Sequence, residues 1–457
     1  MNTTTCDLPG DIRITVPNRL DRLTPYVLLE QGDWFEPEIR FVRQLAHAGG
    51  VADVALDIGA NLGVYTLTLA QAGAQVWAFE PAAETAELLQ ASLTDNDARR
   101  VTLVRAALSD HAGWATLHTF DQPELNTLNG PGDGPGEPVP LTTLDDAQGA
   151  WNQTPIDFVK LDAESEELRV FDGGKAFFAR NDPLVMFEIR DAHGLELGLV
   201  ARLQSLGYAP YTLVPGLNLL VPWDGKAAPD ALCINLFACK PTRAAQLAAC
   251  GLLVQQPEPA TPDARALAAL LRQPWATSMA ARWSALQPSA EPTPPALQAV
   301  LLVLTALDAS TPAPQRLGAL QDAVALLASA TTDNDISRAC TLARAAAALG
   351  QRSLAQVAAQ RVVTLARRCP ELPPALPFLP PHPEFDAIDG QADWTEWMLC
   401  AATRARMAQH HFSSFFDALG YLRLIAPCQG SAFLSPDMAR TLSLAQRHVR
   451  GEVTLSP

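Results

Sequence analysis

Basic residues are scarce in this sequence, and lysine is the scarcest. The 457 residues include four lysines, Lys160, Lys175, Lys226 and Lys240, and 33 basic residues face 49 acidic ones. Residues 1–250 carry the whole net charge of −16, because residues 251–457 contain 16 arginines and 16 acidic residues. This charge balance argues against a nucleic-acid substrate and against binding to an anionic membrane surface, since both require a positively charged protein surface.

Cysteine pairs and long apolar runs are missing as well. The eight cysteines form no C-x-x-C pair and no zinc spacing, so they predict reduced, buried thiols. The first ten residues lack an apolar signal core, and no apolar run reaches the length of a membrane span. We therefore predict a globular cytoplasmic protein of two or three domains with no membrane span.

A glycine-containing turn follows the apolar run Val54–Ile58, which predicts a buried parallel strand. The turn reads D-x-G-x-N-x-G from Asp57 to Gly63, and a helical pattern begins at Leu62. It lacks the G-x-G-x-x-G of dinucleotide sites and the lysine of a P-loop. It suits S-adenosylmethionine (SAM), whose cationic groups complement Asp57, and we expect free N–H groups at the end of the strand. The alternative is an ordinary strand–helix turn.

A second apolar run, Gln75–Phe79, ends in Glu80-Pro81. Glu80 lies 17 residues after Gly63, a separation that suits an acidic residue binding the two ribose hydroxyls. Further strands are predicted over Val101–Ala107, Ile156–Leu161 and Leu184–Ile189, and a helix over Glu166–Phe178. Alternating strands and helices predict a doubly wound α/β parallel sheet whose ligands lie beyond the carboxyl ends of the strands. The Gly/Pro-rich stretch Asn129–Pro140 predicts a loop, either an active-site cover or a plain surface loop.

Four blocks together resemble the FkbM family of SAM-dependent methyltransferases: Leu56–Gly63, Ala78–Pro81, Ala107–Asp110 and Phe158–Glu164. The resemblance covers residues 22–240. It implies a Rossmann-like class I methyltransferase sheet, SAM as cofactor, and methyl transfer to a hydroxyl of a sugar, glycan or related small molecule. Ser165 stands where the family has glycine after its D-x-E, which is unfavourable if that turn needs a positive φ. The residues assigned to the cofactor are Asp57, Gly59, Ala60, Asn61, Gly63, Glu80, Pro81 and Ala107.

The fourth-strand block carries the candidate catalytic residues. Lys160, Asp162 and Glu164 alternate, so an extended segment points all three to one side. Asp162 or Glu164 would take the proton of the acceptor hydroxyl, and Lys160 would stabilise the developing alkoxide or orient a carboxylate. The alternatives are a structural ion pair, a divalent metal on these carboxylates, and His193 as the base. We predict no metal site.

The second half of the sequence is rich in Ala, Leu and Arg and shows helical patterns. We predict a first domain over residues 1–245, a linker over 246–262 and an all-α helical domain over 263–457. The pair of helices within 336–368 resembles a tetratricopeptide-type hairpin, although a second copy is not evident. This half is expected to bind a protein partner or a second copy of the chain. The alternative to an enzyme is therefore a SAM-binding interaction module that docks a partner and catalyses little.

Overall fold

The chain forms two compact units in the computed structural model, which describes residues 2–128, 136–191, 194–226, 229–262, 264–279, 295–329, 335–368, 377–390 and 393–455. The first unit comprises Met1–Leu213, Leu220–Leu253 and Gly451–Pro457, and the second comprises Val214–Leu219 and Val254–Arg450. The domain boundaries at residues 245 and 263 stay predictions.

Fifteen strands lie in the described residues, nearly all within the first unit. They are β1 (Thr3–Leu8), β2 (Ile12–Pro17), β3 (Val54–Ile58), β4 (Gln75–Phe79), β5 (Val101–Val104), β6 (Ala107–Leu108), β7 (Gly113–His118), β8 (Gly136–Thr142), β9 (Phe158–Leu161), β10 (Leu184–Glu188), β11 (Arg190–Asp191), β12 (Gly194–Leu195), β13 (Ala209–Val214), β14 (Leu219–Pro222) and β15 (Asn235–Cys239).

Helices complete the first unit and make up almost all of the second. Those of the first unit are α1 (Leu23–Gln31), α2 (Glu38–His47), α3 (Val64–Gln71), α4 (Ala83–Asp95), α5 (Leu144–Ala147), α6 (Glu167–Asp172), α7 (Lys175–Arg180), α8 (Gly198–Ser205) and α9 (Pro241–Ala249). Those of the second are α10 (Ala264–Leu271), α11 (Pro295–Leu307), α12 (Ala313–Ser329), α13 (Ile336–Leu349), α14 (Arg352–Arg368), α15 (Trp394–Met407), α16 (Ala418–Ile425) and α17 (Pro436–Val449). None of the described helices is both long and apolar enough to cross a membrane.

The main sheet has the order β14-β13-β15-β10-β9-β3-β4-β5. Its five strands from β10 to β5 pair in parallel, whereas β15 runs antiparallel to β10 and to β13. Side chains alternate along each strand, and both faces are covered: Ala55 and Phe158 enter one core, and Leu56 and Val159 enter the other. The doubly wound α/β fold is confirmed. The prediction of a wholly parallel sheet is wrong at β15, because an apolar run in the sequence carries no information on the direction of the strand.

The structure corrects two local predictions and adds one element that was not predicted. Helix 166–178 is two helices, α6 and α7, which meet at Gly173-Gly174, because glycine is unfavourable inside a helix. A Cβ on Gly173 would also lie 2.2 Å from the carbonyl oxygen of Ser109. Gly136–Pro140 belongs to strand β8, which buries Val139 and Leu141 at alternate positions, while residues 129–135 lie outside the described residues. The sequence of the first 20 residues predicted no element. Strands β1 and β2 form a hairpin there, and Ile12, Ile14 and Val16 of β2 enter the core.

Candidate active site

The turn after β3 is shaped by a close approach of backbone to backbone. Gly59 has φ +77°, and a Cβ on it would lie 1.7 Å from the carbonyl oxygen of Asp162. The N–H groups of Gly59 and Ala60 both donate to the carbonyl of Phe79, at 3.1 and 2.9 Å. The turn is therefore held against the ends of β4 and β9, and the expectation of free N–H groups is wrong for these two residues.

Glu80 lies at the end of β4 and holds the same turn through its side chain. Its carboxylate accepts the N–H groups of Asn61 and Ala82, both at 2.9 Å, and the residue is 7% exposed. Burial raises the pKa of Glu80 to about 7, and the two backbone hydrogen bonds oppose that rise. Because each carboxylate oxygen has two lone pairs, both oxygens can still accept a further hydroxyl.

Asp57 is fully buried at the end of β3. The hydroxyl of Thr66 donates to its Oδ2 at 2.6 Å, while its Oδ1 accepts no hydrogen bond and lies 3.9 Å from the ammonium of Lys160. Burial raises the pKa of Asp57, and Lys160 and Thr66 oppose that rise. A buried oxygen without a donor is costly, so Oδ1 is suited to a ligand that brings a cationic donor.

Lys160 is the buried cation of the site, and it is 5% exposed. Its ammonium donates to Asp162 Oδ2 at 2.8 Å and to the carbonyl of Gly59 at 3.3 Å, and it lies 5.3 Å from the centroid of the Tyr65 ring. Burial alone would lower the pKa of Lys160, but the carboxylates of Asp162, Asp57 and Glu36 outweigh it and raise the pKa. Lys160 therefore stays charged, and it joins the turn to Asp162.

Asp162 and Glu164 follow β9 but differ in setting. The Asp162 side chain is 29% exposed, so it is both anchored by Lys160 and open to solvent. Burial raises the pKa of Glu164 to about 9, with Asp162 and Glu167 adding to the effect. Glu164 and Ser165 have φ values of +51° and +74°. The turn thus needs positive φ at the position where the FkbM family has glycine.

Two further acids lie against Asp162: Glu188, which the predicted strand Leu184–Ile189 carries, and Glu167, which the sequence did not single out. Carboxylate oxygens of Asp162, Glu167 and Glu188 all lie within 4.8 Å of one another. Burial raises the pKa of Glu167 to about 7 and that of Glu188 to about 11. Three oxygens at this spacing could ligate a hard cation, although such clusters also occur without one.

The remaining predicted residues are placed as follows. Gly63 has φ +90° and precedes α3, and Pro81 follows Glu80. Ala107 lies in β6, which pairs with β8 in a small separate sheet of β6, β8 and β7. His193 lies outside the described residues. The sequence missed Glu36, Tyr65 and Asn235 at this edge. The one signal for Glu36 was an acidic residue in the aromatic segment Trp34–Pro37.

Comparison with known families identifies one domain. The family model described as "Methyltransferase FkbM domain" matches residues 57–210, about a third of the chain. Residues 57–210 form a methyltransferase FkbM domain. The cofactor of this FkbM domain is SAM. A search of curated proteins found no match.

Several solved structures are similar to parts of the chain. A SAM-dependent methyltransferase from Agrobacterium tumefaciens is 9% identical, with a TM-score of 0.30, over 53% of this chain and 71% of that one. A precorrin-6y C5,15-methyltransferase from Geobacter metallireducens is 13% identical, with a TM-score of 0.25, over 43% and 84%. An O-methyltransferase from Bacillus cereus, in complex with SAH, is 15% identical, with a TM-score of 0.25, over 44% and 80%. Likeness at this level carries no information on substrate.

The residues at the edge fit SAM. The orphaned Oδ1 of Asp57 is complementary to the ammonium or sulfonium of SAM, and Glu80 keeps acceptor capacity for ribose hydroxyls. The N–H groups of Gly59, Ala60 and Asn61 serve the turn, so these residues would contact SAM through backbone surface rather than by donating hydrogen bonds. The roles assigned to individual cofactor residues stay predictions.

Proposed function

We propose that this protein is a SAM-dependent O-methyltransferase whose acceptor is a hydroxyl of a sugar, glycan or related small molecule. One observation carries the proposal: a partly exposed carboxylate, Asp162, is anchored 2.8 Å from the buried Lys160 beside the glycine turn. An alcohol is a weak nucleophile at neutral pH, so its methylation needs a base fixed next to the cofactor.

Each residue of the block has a separate task in this proposal. SAM supplies an electrophilic methyl group on a sulfonium centre. Asp162 would accept the hydroxyl proton as the acceptor oxygen bonds to the methyl carbon and the bond from that carbon to the sulfur of SAM breaks, which leaves S-adenosylhomocysteine. Lys160 keeps its own proton and orients Asp162. Glu164, whose pKa is raised to about 9, is protonated at neutral pH, so it is not the base.

The charge of the first half of the chain supports an acceptor without phosphate. Residues 1–250 carry the whole charge of −16, and Lys160, the buried cation of the site, is already paired with Asp162 at 2.8 Å. Lys160 is therefore not available to bind a phosphodiester. Sugars, glycans and related polyols present hydroxyls without such a charge, which agrees with the resemblance to the FkbM family.

The experiment has a binding arm and a transfer arm. Calorimetry should show SAM binding, and Asp57→Ala and Glu80→Ala should each weaken it by roughly 1.5–3 kcal/mol, the worth of a hydrogen bond to a charged group. Methyl-labelled SAM is then incubated with a panel of monosaccharides and oligosaccharides, and products are identified by mass spectrometry. Transfer to nitrogen or carbon alone, or unchanged SAM affinity in both variants, would refute the proposal.

Ser165 favours a second candidate, a SAM-binding module with little catalysis. Its φ of +74° is strained for a non-glycine residue, next to the candidate base. In that case SAM binds, and no acceptor in the panel is methylated. With either function, the helical half is proposed to bind a protein partner or a second copy of the chain. The proposal also includes a cytoplasmic location.

A further inference from the structure

Glu36 is a buried carboxylate outside the matched residues 57–210, and it reaches the same edge of the sheet. It is 8% exposed and accepts three hydrogen bonds: from the Tyr65 hydroxyl at 2.6 Å, the Trp34 indole at 3.0 Å and the Asn235 amide at 3.1 Å. Asn235 lies 199 residues away along the chain. Burying a carboxylate is costly, and here three separate donors offset that cost.

Tyr65 connects this carboxylate to Lys160. Its hydroxyl donates to Glu36, and its ring lies 5.3 Å from the Lys160 ammonium, within the range of a cation–π contact. The ring is therefore fixed at one end by Glu36 and contacts the ammonium with its π system. The ammonium in turn holds Asp162 at 2.8 Å. This chain of contacts runs from Glu36 to the candidate base without a gap.

We propose that Glu36 is a positioning residue for Lys160, acting through Tyr65, and so fixes where Asp162 is held. The inference rests on the proposed function for the role of Asp162. It also extends the site on both sides of the FkbM domain, to Glu36 before it and to Asn235 after it.

Electrostatics agree with this geometry. The charge of Glu36 is one of three that raise the pKa of Lys160, after Asp162 and Asp57. Burial raises the pKa of Glu36 itself, and Lys160 opposes that rise. The two side chains therefore stabilise each other's charged form. Removing the charge of Glu36 should loosen the ammonium from its position over the ring.

The scarcity of lysine makes a direct test practical. Carbon-13-labelled lysine in the full chain gives signals from four residues, which Lys175→Arg, Lys226→Arg and Lys240→Arg assign by elimination. Ring currents should displace the ε-proton signals of Lys160 over Tyr65, and equally those of Lys240, which lies 4.9 Å from the Tyr208 ring centroid. Lys226, whose side chain is 85% exposed, gives the undisplaced reference, and Lys240 is the internal control.

Glu36→Gln should shift the Lys160 signal towards that of Lys226, while the Lys240 signal stays in place. Tyr65→Phe, which removes only the hydroxyl that donates to Glu36, should shift Lys160 in the same direction. Asp157→Asn is the matched control. It removes the charge that pairs with Arg243 at 2.9 Å, at the start of β9, and should lower Tm without shifting Lys160.

An unmoved Lys160 signal in both site variants would overturn the inference. If Glu36→Gln does not fold, Tyr65→Phe decides alone, because it deletes a single oxygen. SAM binding is measured on the same samples. Absent binding together with the expected Lys160 shifts would refute the proposed function and keep the inference that Glu36 positions Lys160 through Tyr65. Normal SAM binding with an unshifted Lys160 signal would refute the role of Glu36 and leave the proposed function standing.

Discussion

Burial changes what each acidic residue at the sheet edge can do. Asp162 is partly exposed and anchored by a cation, whereas Glu80 is buried and Glu164, which is half-buried, has a raised pKa. In the proposed function these carboxylates, at the ends of β9 and β4, therefore serve as a proton acceptor, a cofactor ligand and a protonated group. The division is set by desolvation and by distance from Lys160 rather than by residue type.

Glu80 should make SAM binding dependent on pH. Its pKa is raised from 4.5 to about 7, so folding favours the protonated form. The resulting stabilisation of the free protein is present below pH 4.5 and is lost as the pH rises through 7. SAM affinity should change in the opposite direction, because ribose hydroxyls need an ionised acceptor. Calorimetry should show tighter SAM binding at pH 7.5 than at pH 5.5. Glu80→Gln should remove that difference. A wild-type SAM affinity that does not vary with pH would contradict the role of Glu80 as a ligand of the ribose.

Asp162→Asn separates the three roles open to that residue. As the base, it should lose roughly 100-fold in turnover on an acceptor found in the panel, with SAM affinity nearly intact. As a structural residue, it should lower Tm and spare the turnover of each folded molecule. As a ligand of a metal with Glu167 and Glu188, it should give an enzyme that a chelator inactivates and a divalent ion restores. Asp157→Asn is the control for folding. Full turnover together with an unchanged Tm in Asp162→Asn would contradict the role of Asp162 as the base.

Residue patterns predicted the strand ends but not the long-range neighbours. Asp57 and Glu80 follow apolar runs directly, so their place at the sheet edge could be predicted from local sequence. Glu36 and Asn235 could not be predicted, because they meet only after the segments before and after the FkbM domain have folded onto the sheet. No spacing rule connects residues that lie 199 positions apart.

Among the structural elements, β3 and β4 match their predicted bounds, because apolar runs that end in a glycine turn or a proline are unambiguous signals. Strand β8 was mistaken for loop, because Pro138 and Pro140 obscured the alternation of Val139 and Leu141. The break between α6 and α7 falls at Gly173-Gly174, so the local sequence did carry a signal for it. The helices of the second half were predicted, whereas their likeness to a tetratricopeptide repeat stays a prediction.

The glycine turn should not tolerate a side chain at Gly59. Alanine there would meet both a φ of +77° and a backbone oxygen at 1.7 Å. Gly50 is the matched control, with φ +71° and no neighbour within 4 Å. Gly50→Ala should cost about 1–2 kcal/mol for its left-handed backbone. Gly59→Ala should cost about 1–3 kcal/mol more for the overlap and weaken SAM binding. Equal melting curves for the two variants would show that the turn is looser than its geometry indicates.

Replacing Ser165 by glycine should relieve the backbone strain of its turn. Ser165→Gly removes a left-handed strain of about 1–2 kcal/mol and adds chain entropy that costs about 0.5–1 kcal/mol, so stability should rise by up to about 1.5 kcal/mol. Ser443→Gly, an exposed position in the interior of helix α17, should instead lower stability. Thermal denaturation of both variants provides the comparison, and a loss of stability in Ser165→Gly would mean that contacts of the serine side chain outweigh the strain.

At the scale of the whole molecule, charge and secondary structure divide the chain in similar places. Residues 1–250 are strongly acidic and contain the sheet, whereas residues 251–457 are neutral and helical in the parts described. The first unit, however, includes more than its sheet. Helix α9 buries Leu247, and Leu252 and Leu253 enter the same core as the sheet, where Leu253 bridges to Leu220.

A truncated chain tests how much of the molecule the FkbM domain needs. The sheet is complete at Cys239, which by itself suggests that a chain ending at Arg243 binds SAM. Ending there would remove four residues from the core, namely Ala244, Leu247, Leu252 and Leu253, which are 0–4% exposed. Each large-to-small core loss costs about 2–5 kcal/mol, so residues 1–243 should aggregate or melt early. Residues 1–253 keep these four side chains and lose only the last segment of the first unit, Gly451–Pro457, which accepts a hydrogen bond from the Leu20 N–H through the Val453 carbonyl. They should bind SAM within about threefold of the full chain, a difference of under 1 kcal/mol. Calorimetry and thermal denaturation of the two truncated chains beside the full one provide the measurement. A folded 1–253 chain without SAM binding would show that residues beyond 253 complete the cofactor site.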